Sequence, residues 1–144
     1  MFFALFSWLV APCFAQANPA LVQSLSARHA APPCATLTAT AEELAEVVTN
    51  VAMPPWVPMR AATCLVEQHA EGSESHFLSW VTEPEKLGLG RLLLRLLDGL
   101  PDALALRIVQ AGIEGPLRDE VIQTASQDPR PEVQQHAASA LGTP

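Results

Sequence analysis

Apolar residues recur along most of this chain at intervals of three and four, with polar residues between them. This spacing places the apolar side chains on one face of an α-helix, and turns rich in Pro, Gly and Asp separate the segments that show it. Strands would instead show alternating apolar and polar residues bounded by hairpin turns, and that pattern is not evident. The chain is therefore predicted to be all-α, with several short helices.

The clearest apolar stripe lies in residues 128–142, where a turn containing two prolines precedes a short helix. Positions i, i+4, i+7 and i+8 of that helix hold Val133, Ala137, Ala140 and Leu141. A stripe of small residues lets another helix approach closely, but one short helix is not stable alone in water. The pattern therefore predicts that this helix packs against others like it.

The same stripe occurs twice earlier in the chain, beginning at Val57 and again at Leu89. The remaining members are Ala61, Cys64 and Leu65 in the first copy, and Leu93, Leu96 and Leu97 in the second. A step of 32 residues from Val57 to Leu89 is typical of helical repeats, so the three stripes are predicted to form a repeat core. The step from Leu89 to Val133 is longer. The pairing of the helices after residue 100 therefore stays open.

Residues 128–142 resemble the second helix of a HEAT repeat, in which a turn of the form D-P-x-P-E-V-R leads into an alanine-rich helix. This chain reads D-P-R-P-E-V-Q, so that Gln134 replaces the usual arginine, and Ala-Ala and Ala-Leu pairs follow. The resemblance implies a short right-handed α-solenoid of antiparallel helix pairs. It also implies that Arg60 and Arg91, near the starts of related helices, brace neighbouring repeats.

HEAT-like proteins usually bind other proteins and rarely catalyse reactions. The resemblance therefore implies a non-enzymatic adaptor or scaffold with a protein partner, and no cofactor or metal. The alternative is a small secreted helical module that binds a ligand or acts as an inhibitor. The sequence leaves the oligomeric state open.

The first 17 residues are mostly apolar and carry no charge. An apolar run up to Ala11, a proline at position 12 and the sequence A-Q-A at 15–17 are features of a secretory signal peptide cleaved before Asn18. The usual positive n-region is missing. A core helix or a membrane anchor is the alternative, although the run is shorter than the roughly 20 residues that span a bilayer.

These features divide the chain into a signal peptide at 1–17, an N-terminal capping helix and linker at 18–40, and a HEAT-like repeat domain at 41–144. The predicted location is outside the cytoplasm of a Gram-negative bacterium, either periplasmic or secreted. No stable membrane insertion is expected after the signal peptide is removed.

Export would place Cys34 and Cys64 in an oxidising compartment, where the two cysteines of the mature chain have one possible pairing. A disulfide between them would close a loop of about 30 residues and stabilise the fold by about 3–4 kcal/mol. The alternative is that both are small buried apolar residues, as free cysteines often are.

The composition adds one exclusion. The chain is 49% hydrophobic and 16% charged, and its formal net charge is −7. An acidic chain without a basic run repels phosphate backbones, so nucleic acid is not an expected partner.

Candidate chemistry is sparse. His69 and His76 lie near Glu71 and Glu74, but a glycine-containing turn separates the histidines and the spacing is not that of a metal site. Ser73 is interpreted as a helix cap rather than a nucleophile. No catalytic, metal or cofactor residue is predicted.

Two further features depart from the repeat pattern. Trp56, just before a predicted helix, is either a hydrophobic staple or an exposed platform for a partner. Gly88 and Gly90 lie inside a helical pattern, where each costs roughly 1 kcal/mol relative to alanine. They indicate either a frayed helix start or a close helix contact.

Overall fold

The computed structural model describes residues 17–52 and 54–142, so nearly all of the predicted signal peptide lies outside the described residues. Within these ranges the chain forms eight α-helices and no strand, which confirms the all-α prediction. The helices are α1 (Pro19–Ser26), α2 (Ala41–Asn50), α3 (Trp56–His69), α4 (Glu74–Thr82), α5 (Leu87–Leu94), α6 (Asp102–Ile113), α7 (Arg118–Ser126) and α8 (Pro131–Ala140). Among them, none has the length and apolar composition needed to cross a membrane.

Local sequence explains where α2 begins. The Thr40 hydroxyl accepts a hydrogen bond from the Glu43 N–H (3.2 Å), and the Glu43 carboxylate accepts one from the Thr40 N–H (2.9 Å). This capping box satisfies two donors at the start of the helix. The bond from the Thr40 backbone is also the main reason that the pKa of Glu43 is lowered.

The apolar stripe from Leu89 to Leu97 predicts one helix, but the helix is broken in the structure. A 3-10 turn at Pro84–Lys86 precedes α5, and a second one at Leu97–Gly99 follows it. The Leu96 N–H bonds to the carbonyl three residues earlier, at Leu93, so the backbone tightens and α5 ends. The apolar pattern continues through this break because a 3-10 turn has nearly the same period as an α-helix.

The helix contacts follow the order of the chain. Each of the main packing pairs joins helices that are consecutive or next but one in sequence. The next-but-one pairs form two series, α1–α3–α5–α7 and α4–α6–α8. Between them lies a continuous core whose largest fully buried side chains include Trp80, Phe77, Leu65, Leu93 and Ile108.

Most of the predicted repeat core is buried. The residues with almost no exposed surface are Val57, Ala61, Leu65, Leu93, Leu97, Val133 and Ala137. Leu89 is partly buried and packs against this core. Leu141 is 65% exposed, so its assignment to the core was wrong. It lies one residue past the end of α8, where the described chain provides no further helix to cover it.

The prediction that Ser73 caps α4 was also wrong. A 3-10 turn at Glu71–Ser73 leads directly into α4, and Ser73 has φ −108° and ψ 6° rather than the extended backbone of a cap. Its side chain makes no capping bond, and its buried hydroxyl oxygen has no hydrogen-bond partner among the described residues.

The two glycines of α5 have different surroundings. A Cβ atom at Gly90 would lie 2.6 Å from the Trp80 carbonyl oxygen and 2.4 Å from Cδ1 of Leu117, whereas at Gly88 it would meet nothing within 4 Å. Gly90 therefore permits the close contact between α5 and α4. Gly88 has no such packing reason.

Candidate protein-binding surface

Trp56 and Arg60 fasten the end of α1 to the first turns of α3. The indole Nε1 of Trp56 donates to the Ser26 carbonyl (3.2 Å), and Nη1 of Arg60 donates to the carbonyls of Leu25 (2.8 Å) and Ala27. Carbonyls at the end of a helix lack partners within it, so these bonds satisfy groups that α1 cannot. Arg60 therefore joins α3 to the end of α1.

Cys64 lies one turn beyond Arg60 on the same face of α3. Its Sγ is 2.14 Å from that of Cys34, and the two Cα atoms are 5.1 Å apart. The two cysteines therefore form the predicted disulfide rather than two separate buried thiols. We call Trp56, Arg60 and Cys64 the α3 clasp, because all three hold the N-terminal segment against α3.

Trp56, the predicted partner surface, is largely engaged within the chain. Its side chain is half-buried and packs against the core. The Arg28 guanidinium lies over the ring, 5.5 Å from the centroid, which is a favourable cation–π distance. The indole N–H and one ring face of Trp56 therefore contact the end of α1 and the residues just after it.

Arg91, the second predicted bracing arginine, connects α5 to α7. It forms a two-pronged pair with Glu120, in which Nε lies 2.9 Å from Oε2 and Nη2 lies 3.0 Å from Oε1. The hydrogen bonds from Arg91 are the main reason that the pKa of Glu120 is lowered. Both side chains are roughly half-exposed, so the pair orients the two helices more than it stabilises them.

Arg130 makes the most extensive set of these contacts. Its Nη1 and Nη2 atoms donate to the carbonyls of Leu100 (2.6 Å) and Leu97 (2.7 Å), and its Nε and Nη2 atoms each donate to the Asp128 carboxylate at 2.8 Å. Asp128 is 4% exposed, and hydrogen bonds from Arg130 are the main reason that its pKa is lowered. Sequence reasoning assigned no role to this pair. The sequence feature that could have identified the pair is an Asp and an Arg two residues apart, in the turn that resembles a HEAT repeat.

Arg118 makes a comparable link further along the chain. Its guanidinium donates to the carbonyl of Ile113 at the end of α6 (3.0 Å) and to that of Ala140 at the end of α8 (2.9 Å). A cation near the ends of two helices also interacts favourably with their dipoles. Arg118 therefore holds both helix ends around the start of α7.

These contacts engage almost all of the basic side chains internally. Arg107 pairs with Glu74, and Lys86 with Glu83. In the described part of the chain, Arg95 is the basic residue whose guanidinium makes no hydrogen bond, ion pair or ring contact. Many exposed carboxylates in the same ranges have no basic partner, among them Glu67, Glu85, Asp98, Glu114 and Glu132.

Shallow grooves lie between the helices. One of about 370 Å³ separates the end of α5 from α7 and contains Arg91 and Arg95. Another of about 350 Å³ lies beside α7 and is lined in part by Ile122 and the exposed Leu141.

The histidines do not meet in one site. Nε2 of His76 lies 3.2 Å from both carboxylate oxygens of Glu42, whereas Nε2 of His69 lies 3.1 Å from the Ala39 carbonyl. No group of three or more His, Cys, Asp or Glu side chains suited to a metal ion occurs among the residues described.

The resemblance of residues 128–142 to a HEAT repeat stays a prediction. No family model matches the chain, and no curated protein or solved structure matches it.

Proposed function

We propose that this chain is a short HEAT-like α-solenoid that binds a protein partner, as an exported adaptor or scaffold without enzymatic activity. The range of its contacts carries the proposal. Apart from bonds between neighbouring turns, the side-chain hydrogen bonds of the described residues join positions 22 to 35 residues apart, from Arg118–Ala140 to Arg60–Leu25. A stack of repeats has such contacts because each repeat touches only its neighbours.

The arginine contacts support a repeating unit. Arg60 donates to carbonyls 35 and 33 residues earlier, and Arg130 to carbonyls 30 and 33 residues earlier. Arg60 and Arg130 thus both donate to backbone carbonyls that lie a similar number of residues earlier in the chain. That separation matches the length of a pair of helices with its turns.

The character of the surface supports a protein as the ligand. Ridges formed by helices alternate with shallow grooves of a few hundred Å³. A partner would therefore contact several helices at once, as extended solenoid surfaces do. The Cys34–Cys64 disulfide is compatible with export, because such bonds persist in oxidising compartments.

A distance measurement tests the solenoid. Spin labels on unnatural side chains at Gln23 in α1 and Gln135 in α8 leave the disulfide intact, and both positions are exposed. Since packed helices are about 8–10 Å apart, three steps along a stack predict a separation of roughly 25–30 Å. A separation near one helix spacing would instead indicate a closed bundle and would reject the stack.

Binding is tested with the full chain carrying a photo-crosslinker at one of two exposed positions on different helices, Asp119 in α7 or Gln110 in α6. We expect one protein from an envelope extract to crosslink saturably at one of the two positions and to be displaced by unlabelled chain. Saturable binding of a small molecule with no crosslinked protein would support the alternative, a ligand-binding or inhibitor module. Equal crosslinking of many proteins at both positions would contradict both functions.

A further inference from the structure

The groove between α5 and α7 has a distinctive set of polar groups. The end of α5 contributes Arg91, Leu94 and Arg95, and α7 contributes Glu120, Gln123 and Thr124. The spacing of four residues between the two arginines, and of three and four residues between the members on α7, places each set on one helix face. The two faces border a shallow groove of about 370 Å³.

The one carboxylate that lines this groove, that of Glu120, is already hydrogen-bonded to Arg91. Both oxygens of Glu120 accept hydrogen bonds from Arg91, at 2.9 to 3.1 Å. A two-pronged pair of this kind fixes the orientation of both side chains. Glu120 is therefore held by Arg91 and is not bonded to Arg95, which lies one turn further along the chain.

The remaining polar groups of the groove have no partners within the described residues. The Arg95 guanidinium makes no hydrogen bond there, and neither does the Gln123 amide. Thr124 differs from the other threonines in α-helices, Thr49, Thr63 and Thr82, whose hydroxyls each donate to the carbonyl four residues earlier. The Thr124 hydroxyl makes no such bond although the residue is partly buried.

We propose that this groove binds the carboxylate of a short acidic segment in the partner protein, with Arg95 as its principal ligand. Arginine has only donors and matches the two oxygens of a carboxylate, and Gln123 and Thr124 provide further donors beside it. Leu94, 6% exposed, provides an apolar floor beneath the bound segment. The inference rests on the proposed protein-binding function and adds to it the chemistry of one contact.

Charge and volume restrict the segment to a single carboxylate. The chain has a net charge of −7, which repels a long acidic stretch, whereas repulsion beyond the Debye length of about 8–10 Å is screened at physiological salt. The groove volume also lies near the lower end of the range for ligand sites, about 300–1,000 Å³. Both arguments favour a single acidic side chain flanked by apolar residues.

The test is a titration of the full ¹⁵N-labelled chain, followed by NMR, with the peptide acetyl-Leu-Glu-Leu-amide. Acetyl-Leu-Gln-Leu-amide is the matched peptide without the charge, and inorganic phosphate is a third probe. We expect the Glu peptide to shift the Arg95 Nε–H, the Gln123 side-chain amide and the Thr124 backbone amide saturably. The Gln peptide should bind at least about tenfold more weakly, since a charge-assisted hydrogen bond is lost.

Two variants assign the effect to the groove. Arg95→Gln should weaken binding of the Glu peptide about tenfold or more, whereas Arg28→Gln, which removes the same charge outside the groove, should leave it unchanged. Equal effects of both variants, or equal binding of the Glu and Gln peptides, would overturn the proposal. Phosphate binding as tight as that of the Glu peptide would also overturn it, because the site would then be one for inorganic anions.

The crosslinked partner separates this inference from the proposed function. If the crosslinker-bearing chain captures a protein and the same chain with Arg95→Gln captures it equally well, the groove proposal fails and the function stands. If the Glu peptide binds through Arg95 but no protein is captured, the function fails and the carboxylate site stands.

Discussion

At the scale of single residues, arginine is the side chain that joins the helices. Arg60, Arg118 and Arg130 each donate to two backbone carbonyls, most of them at or just past the ends of helices. The planar guanidinium presents several donors in fixed directions, which the single ammonium of lysine does not. This geometry lets one arginine side chain hold two carbonyls in place at once.

Arg130→Ala should be among the most destabilising changes to a charged residue. It leaves the nearly buried Asp128 carboxylate and two carbonyls without their partner, and removal of one member of a buried pair costs about 3 kcal/mol or more. Urea unfolding followed by circular dichroism measures this loss. Arg95→Ala is the control, with an expected change within about 0.5 kcal/mol; similar losses for both variants would contradict the role of Arg130.

Asp128 should make stability depend on pH in the acidic range. Its pKa in the folded chain lies below its ordinary value, mainly because of the hydrogen bonds from Arg130. The folded state therefore binds fewer protons than the unfolded state, and the stabilisation is complete above about pH 4 and is lost as pH falls through the folded pKa. Unfolding free energies between pH 2 and 6 should show this decrease in the wild-type chain. In Asp128→Asn the decrease should be smaller, with lower stability at neutral pH.

At the scale of helices, Gly88 and Gly90 form a matched pair on α5. Gly88→Ala should stabilise the chain by roughly 0.5–1 kcal/mol, because alanine favours a helix and the new Cβ has open space. Gly90→Ala should destabilise it by about 1–3 kcal/mol, because its Cβ would press on the Trp80 carbonyl and force α4 and α5 apart. Thermal unfolding of the two variants measures both changes, and the same sign for both would reject the close contact.

The α3 clasp includes a covalent bond to the segment that follows α1, because Cys34 lies in a 3-10 turn at Cys34–Thr36. Cys34→Ser with Cys64→Ser should lower stability by about 3–4 kcal/mol for a disulfide that links residues 30 positions apart. The loss should be greatest near the bond. Hydrogen exchange should therefore accelerate more for the α1 amides than for those of α6. Uniform acceleration in both helices would indicate that α1 does not open separately from the rest.

At the scale of the whole molecule, all the links are short along the chain. The longest side-chain hydrogen bond of the described residues spans 35 positions. Chains dominated by such local contacts fold within milliseconds or less. Stopped-flow refolding with the disulfide intact should show a main phase in this range. The chain has 13 prolines, so a minor slow phase that a prolyl isomerase accelerates is also expected; a main phase of seconds that the isomerase does not alter would contradict local folding.

Local sequence by itself determined the helical class, the apolar face of most helices and the start of α2. Each depends on features within one or two turns, such as the 3.6-residue period or a Thr and a Glu three apart. These features act before any distant contact forms. That is why Val57, Leu93 and Val133 were placed correctly in the core.

Only the tertiary structure decided which stripe residues are covered and which polar groups meet. Leu141 continues the stripe, but no helix in the described part of the chain covers it, and Ser73 resembles a cap but lies within a continuous helical path. The bonds of Arg130 to Leu97 and Leu100, and the groove beside Arg95, need helices that are distant in sequence to lie side by side. Burial and hydrogen bonding at these positions depend on the neighbouring helix. The sequence of the residue's own helix does not indicate which helix that is.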